Sequence, residues 1–413
     1  MTTSPGALLV ATMDTKGQEA QFIADCLIRR GIKVCILDAG IRGESPFPVT
    51  VNREVVALDG GMALSEVRAI GHEGKALAVM CAGAVRQAQA LHQRGEFQGI
   101  IGLGGSMGTT LGTAVMRSFG VGVPKVMIST MASRDTRAFV GTKDILMLHS
   151  VCDLVGLNRI TRKILQNGAK ALAGMLHGNF EAAPISGKPL IFLSTLGTTE
   201  TCAQLLRSDL EKAGNEVVVF HTVGSGGKAM EEMLDHEKVD AIIDLSLHEL
   251  ADHMFGGDYD AGPDRGTAAL RNAIPALLIP GNIDFLVTGP LETARRQFPD
   301  RAFHVHNAAI TVVRTSRTEM QALAERIIEI CHLSQGPMEI LVPTGGLSAF
   351  GTKTGPLHDP EGDAAFCDRL LARRPPEARI EMLPFEINDP KFANAVRRRF
   401  QEIAGAGLVA GDS

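Results

Sequence analysis

The sequence predicts an α/β chain of two lobes, each a mostly parallel sheet flanked by helices. Short apolar runs alternate with helix-periodic segments, the pattern of buried parallel strands joined by crossover helices. The same series of strand ends then occurs twice. Leu190–Thr195 followed by Gly197-Thr198-Thr199 echoes Leu8–Thr12 followed by Asp14-Thr15-Lys16, and Glu216–Phe220 echoes Lys33–Leu37. Val239–Leu247 echoes Phe97–Gly105, and Pro275–Ile279 echoes Pro124–Ile128. Between the two series, 179–189 carries Pro184, Gly187 and Pro189 and reads as a linker. A chain of 413 residues also exceeds one ordinary core. Two Rossmann-like domains are therefore expected, over 1–183 and 188–413.

Taken in order, Ala7–Ala11 is a first strand bounded by Pro5-Gly6, and its helix runs through Phe22, Ile23, Cys26 and Leu27 to a stop at Gly31. Ile32–Leu37 is a second strand ending in Asp38, where dinucleotide folds place a ribose-binding carboxylate, although the matching glycine loop is missing. Residues 41–61 read as loop. A helical pattern covers Met62 to Ala90, with a break at Gly71–Gly74 and an interruption expected at Cys81-Ala82-Gly83. Ile100-Ile101 then ends a strand that passes through a glycine turn into a helix marked by Leu111, Val115, Met116 and Phe119. Lys125–Ile128 and Ile145–Leu148 read as strands, and Asn158 starts a helix to about Met175. In the second half a glycine loop, Gly224–Lys228, precedes a helix from Ala229. Ile340–Val342 leads through Gly345-Gly346 to a helix over 364–371. Ile380–Phe385 is the last strand, and Asn388-Asp389-Pro390 caps the last helix.

Composition narrows the function. The net charge is −5 and aromatic residues make up 4%, so neither a basic face nor a base-stacking platform for nucleic acid is expected. Seven cysteines are scattered without a C-x-x-C pair and read as reduced, buried thiols. No signal peptide opens the chain and no apolar run reaches the roughly 20 residues of a membrane span. A cytoplasmic protein with no membrane partner is expected.

The densest motif lies in 97–137. Strand, glycine turn and helix N-terminus in that order form an anion site, because first-turn N–H groups are unpaired and glycines let a phosphate approach them. Gly102, Gly104, Gly105 and Gly108 supply the turn, and Ser106, Thr109 and Thr110 add hydroxyls. Ser129 and Thr130, at the next strand end, open onto the same crevice. Lys16 brings an ammonium, and Asp14, two residues before it across Thr15, a carboxylate for a hydrated Mg²⁺ or another divalent metal. The loop is neither a Walker A motif nor a dinucleotide fingerprint. The plain alternative is that its glycines only pack a helix tightly on a sheet.

The second half carries different chemistry at its strand ends. Asp244, His248, Glu249, Asp284, His304, His306 and Asn307 are expected to line a pocket facing Gly224–Lys228. Imidazoles beside carboxylates suit general acid–base catalysis or a divalent metal, and Lys228 suits an anionic substrate. His248 and Asp252 share a helix face, and His304 and His306 alternate along a strand so that both face one side. A polar rim without a ligand is the alternative.

Together these motifs resemble the uncharacterised bacterial, archaeal and fungal proteins that share the ATP-binding region of the tomato-mosaic-virus resistance protein of tomato. The resemblance is carried by Asp14-Thr15-Lys16, Gly102–Thr109, Lys125–Ala132, Gly141-Thr142 and Ser150-Val151 with Asp153. In the second half it is carried by Gly224, Gly226–Glu231, Asp284, His304–Asn307, Asp359-Pro360-Glu361 and Ile387-Asn388-Asp389. It implies an N-terminal nucleotide-binding domain with ATP as ligand, a C-terminal domain of related plan, and self-association, with a homodimer expected. Arg134-Asp135 stands where the family carries a glycine. Three functions stay open: an enzyme that uses or is controlled by ATP and acts on a small anionic metabolite, a nucleotide-binding regulator without turnover, and a two-domain binder of a small anion.

Overall fold

A computed structural model describes residues 4–177, 187–375 and 378–405, so 179–186 of the predicted linker lie outside the described residues. The chain forms two compact units, Met1–Ala182 and Ala183–Ser413. Both are α/β with mostly parallel sheets, the architecture the sequence predicts.

Unit one holds β1 (Gly6–Ala11), β2 (Lys33–Asp38), β3 (Gly99–Gly104), β4 (Lys125–Ser129) and β5 (Leu146–His149). They form one parallel sheet in the order β2-β1-β3-β4-β5. Successive side chains point to opposite faces, so Leu8, Val10 and Ile100 meet the helices Glu73–Gln93 and Ser106–Arg117. Ala7, Leu9, Ala11 and Ile101 meet Met13–Ile28 and Arg159–His177 on the other side. Each fully buried aliphatic side chain contributes roughly 1.5–3 kcal/mol. The strand order reverses between β1 and β3, and at such a switch point two crossover helices leave in opposite directions and open a crevice.

Unit two repeats that order. Its main sheet joins β6 (Leu190–Thr195), β7 (Glu216–His221), β8 (Ala241–Asp244) and β9 (Ala276–Leu278). An inserted antiparallel sheet follows, made of β10 (Phe285–Thr288), β11 (Phe303–Val305) and β12 (Thr311–Arg314) in the order β10-β12-β11. β13 (Met338–Pro343) and β14 (Arg379–Leu383) then complete a parallel sheet ordered β7-β6-β8-β9-β13-β14. Phe285, Val287 and Val312 of the insert pack with Leu196, the residue after β6, so the insert roofs the C-terminal edge of the main sheet.

Several boundaries differ from the sequence reading. Residues 53–59 form a helix where a loop was expected, capped by Asn52, whose Oδ1 accepts from Val55 N–H at 2.9 Å. The helix Glu73–Gln93 continues through Cys81-Ala82-Gly83, because Gly83 is the packing contact and a side chain there would run into the Val56 carbonyl. The helices Ser106–Arg117 and Ser225–His236 start inside their glycine runs, not after them. β8 stops at Asp244 and β11 stops before His306, so His304 and His306 do not share one strand. Asp284 sits in the turn immediately before β10.

The glycines of the β3 turn differ in what they are for. A Cβ on Gly104 would lie 2.7 Å from Gly108 Cα, and Cβ atoms on Gly102 and Gly112 would lie 2.9 and 2.8 Å from Met127 Sδ. A Cβ on Gly105 meets nothing nearer than Thr130 Oγ1 at 3.8 Å, and its φ of −77° suits any residue. Gly104→Ala is therefore expected to lose about 1–3 kcal/mol of stability through backbone overpacking, and Gly105→Ala less than about 0.5 kcal/mol. Urea denaturation followed by far-ultraviolet circular dichroism checks the contrast.

Candidate functional site

In unit one, the pairing of Val10 with Gly102 sets Thr12-Met13 opposite Gly104-Gly105, so the loops after β1 and β3 meet at the switch point. The loop after β3 is rich in donors. The helix Ser106–Arg117 has no acid in its first turn and no side-chain cap, and among the described residues nothing accepts from the N–H groups of Ser106, Met107 and Gly108. Ser106 is exposed, and Thr130 is half-buried with its hydroxyl near Gly105. Thr109 and Ser129 face inward: their hydroxyls share a 2.6 Å hydrogen bond, Thr109 Oγ1 also donates to the Gly105 carbonyl, and Ser129 Oγ accepts from Met131 N–H. Those two brace β3 against β4.

The loop after β1 is acidic. Asp38 is buried and accepts from Met13 N–H at 3.0 Å and Gly40 N–H at 2.8 Å, so it caps the first helix instead of facing a ribose. Burial pushes its carboxyl above the usual range, against those two amides. Asp14 Oδ2 accepts from Arg42 and Gly43 N–H, while its Oδ1 is shielded and unpaired among the described residues, facing the space where Gly40 lacks a side chain. Lys16 Nζ donates to the Leu154 carbonyl at 2.5 Å, and Thr15 is exposed with its hydroxyl against Thr12.

Unit two treats its glycine loop differently. The helix Ser225–His236 starts at Gly224, and Glu249 Oε1 accepts from Gly224 N–H at 2.6 Å and Gly227 N–H at 3.0 Å. A side chain at Gly227 would run into Glu249. The place an anion would take is filled by the chain's own carboxylate. Arg265, which the sequence reading missed, holds that carboxylate in place: fully buried, it reaches both Asp244 oxygens at 2.6 and 2.7 Å, Glu249 Oε2 at 2.7 Å and Glu231 at 3.3 Å. Burial pushes Glu249 and Glu231 up, and Arg265 counters it. No sequence signal marks Arg265, because it sits in an irregular segment between helices.

His248 is fully buried, with Nδ1 donating to the Asn282 carbonyl at 2.8 Å and Nε2 3.3 Å from Asp252 Oδ2. Burial opposes its charge, but Asp252, the Asn282 carbonyl and Glu249 together outweigh burial and raise its pKa. Asp252 also accepts from the Tyr259 and Val287 N–H groups, which ties the insert down. Asp284 is fully buried, takes a 2.7 Å bond from Ser348 Oγ, and accepts through its carbonyl from Arg314. His304 stacks on Phe350, while His306 is exposed in the turn that Asn307 closes by accepting from Ala309 N–H. Asp244, Glu249, His248 and Asp284 are therefore buried and engaged, and His306 and Asn307 lie at the insert's tip. Among the described residues no group of three or more His, Cys, Asp or Glu side chains could hold a metal ion. No helix among them is long and apolar enough to cross a membrane.

Arg314 is ringed by Asp284, Asp359 and Asp363, with Asp363 at 2.6 Å. Burial outweighs Arg314 and, with Asp284 alongside, pushes the Asp363 carboxyl up to about 6. The folded state therefore favours protonated Asp363: the stabilisation is complete below its ordinary 3.8 and is lost as pH rises through about 6. Unit two is expected to unfold at lower urea near pH 7 than near pH 5, and Asp363→Asn to flatten that slope. Tyr259 is the sole tyrosine in a chain without tryptophan, so its emission reports the transition.

The chain matches the uncharacterised protein family (UPF0261) N-terminal domain over residues 5–181 and the UPF0261 C-terminal domain over 188–404. A UPF0261 protein of Clostridium tetani is 35% identical over 394 residues, which cover 95% of this chain and 97% of that protein. A UPF0261 protein of Rhizobium meliloti is 35% identical over 398 residues, 96% of this chain and 98% of its own. The ToMV resistance protein Tm-1(GCR237) of Solanum lycopersicum is 32% identical over 337 residues, 80% of this chain but 45% of the tomato protein. With both halves matched in order and bacterial relatives covered nearly end to end, this chain belongs to the UPF0261 family.

Proposed function

We propose that unit one binds ATP or a similar nucleotide by its phosphates, at the N-terminus of the helix Ser106–Arg117. The observation that carries the reading is Gly105. Neither packing nor backbone angle requires glycine there, yet its bare surface leaves the helix start at Ser106 and Met107 open to an approaching anion. The neighbouring glycines have packing duties, so they do not bear on the question. The resemblance to proteins sharing an ATP-binding region supports the choice of nucleotide, and the switch-point geometry supports the choice of position.

Ser106 and Thr130 add hydroxyl donors beside those amides. Lys16 sits at the same edge, its ammonium resting on the Leu154 carbonyl with two further protons to offer. Asp14 is the carboxylate at this edge, and its unpaired Oδ1 is the acceptor that would take a divalent cation such as Mg²⁺. The cation would supply charge neutralisation for the phosphates. Unit two is not where we place the anion, because Glu249 already takes its helix amides.

Gly105→Asp tests the reading with two readouts of opposite sense. A carboxylate at this position caps the helix, and Asp is at least as good an N-cap as Gly, so thermal stability is expected to hold or rise by a few tenths of a kcal/mol. The same carboxylate occupies the anion's donors and repels phosphate, so ATP affinity is expected to fall by about two orders of magnitude. Calorimetry showing unchanged ATP affinity in the folded variant removes the proposal.

A further inference from the structure

A second recess lies beside the open amides. A cavity of about 300 Å³ opens at the C-terminal end of β1, with Met13, Pro46 and Val155 as apolar walls and Gln18 and Glu19 as polar ones. The first helix is shaped to make it. Lys16 leaves the helical region (φ −125°, ψ 19°), which breaks the helix after its first turn. Gly17 lies under Pro46, and a Cβ there would sit 2.6 Å from Pro46 Cγ. The opposite wall is held by the same helix: Lys16 Nζ donates to the Leu154 carbonyl, and Glu19 Oε1 accepts from Gly156 N–H at 2.5 Å. Val155, pinned between those two bonds, stays 69% exposed at the rim instead of folding into the core.

The chemistry of the recess is specific. Apolar side chains among its walls, Met13, Pro46 and Val155, suit a flat ring. Glu19 lines the cavity and is only 2% exposed; Gly156 N–H takes its Oε1, which leaves Oε2 as an acceptor for hydroxyl donors such as a ribose diol. Gln18 is exposed and carries both a donor and an acceptor, which matches the edge of a heteroaromatic base. Position completes the argument. β1 and β3 are neighbouring strands of one parallel sheet, so the cavity at the end of β1 and the amides after β3 lie at the same sheet edge.

We infer that this cavity is the nucleoside subsite of the nucleotide site, with the base between Pro46 and Val155, its edge on Gln18 and the ribose on Glu19. The inference rests on the phosphate reading above and adds that affinity depends on the base and sugar. Calorimetry with ATP and with inorganic tripolyphosphate, both with Mg²⁺, separates the two. The whole chain is expected to bind ATP at least about tenfold more tightly than tripolyphosphate. Val155→Gln puts a polar group on the apolar wall without adding charge at an exposed position that tolerates it. It is expected to weaken ATP about tenfold and leave tripolyphosphate unchanged. Glu19→Gln, which keeps the oxygen that accepts from Gly156, is expected to narrow the preference for ATP over 2′-deoxy-ATP. If the wild-type chain binds tripolyphosphate as tightly as ATP, or Val155→Gln weakens neither, the nucleoside subsite is wrong and the phosphate site stands. If neither ligand binds the wild-type chain, both readings fall together.

Discussion

Helix N-termini that gather at one edge of a parallel sheet set the terms for everything else in this chain. Every strand of the two main sheets runs the same way, so each crossover helix begins at the same edge with unpaired N–H groups and a partial positive charge. A buried donor left unpaired costs about 1–3 kcal/mol, so the sequence supplies acceptors. Asp38 serves Met13, Asn52 serves Val55, Glu249 serves Gly224 and Gly227, and Glu231 serves Gly266, Thr267 and Ala268. Ser316, Asp359 and Asp389 serve the later helices of unit two. The start of Ser106–Arg117 has no such acceptor, and its first residue, Ser106, is exposed, so water satisfies that end cheaply.

Capping with carboxylates brings its own constraint, because a buried charge needs a counter-charge. Glu249 can cap from a fully buried position only because Arg265 takes its second oxygen. Arg265 in turn spans Asp244 and Glu231, which links β8, the helix Ser225–His236 and the segment before Ala268 through one guanidinium. Removing one partner from such a cluster costs roughly 3–5 kcal/mol, since the remaining charges stay buried without compensation. Glu249 is thus a helix cap, and Asp244 helps to hold the guanidinium that lets it be one.

The parts of the structure legible in the sequence were those with a period. Apolar runs located all eleven strands of the two main sheets, and the repeated strand ends gave the two-lobed plan. Boundaries slipped where a cap decided them: Asn52 starts a helix inside an apparent loop, and Ser106 and Ser225 start helices inside glycine runs. The glycine-rich motif after β3 was legible as a loop, but which glycine serves packing and which leaves room needed three dimensions, because the answer lies in Met127 and Gly108. Arg265 and Arg314 were not legible at all. Their partners come from distant segments, and spacing carries no trace of a charge pair formed by the fold.

The two units show how one strand order yields an open edge in one case and a filled edge in the other. In unit two the switch point lies between β6 and β8, and Asn282 occupies it. Held at φ 63°, a conformation asparagine tolerates better than most residues, it donates to Thr199 and Ser246 and accepts from Thr198. Thr222 closes the ring against Ser246, and the insert packs above with Phe285 and Val287. Among its described residues unit one has no inserted sheet, and the chain after β3 is Gly104-Gly105 and the first turn of a helix. Topology fixes where a crevice must form, and the loops then decide whether the chain fills it or leaves it to a ligand. In this chain the glycines on one side and the hydroxyl and amide side chains on the other make that decision in opposite senses.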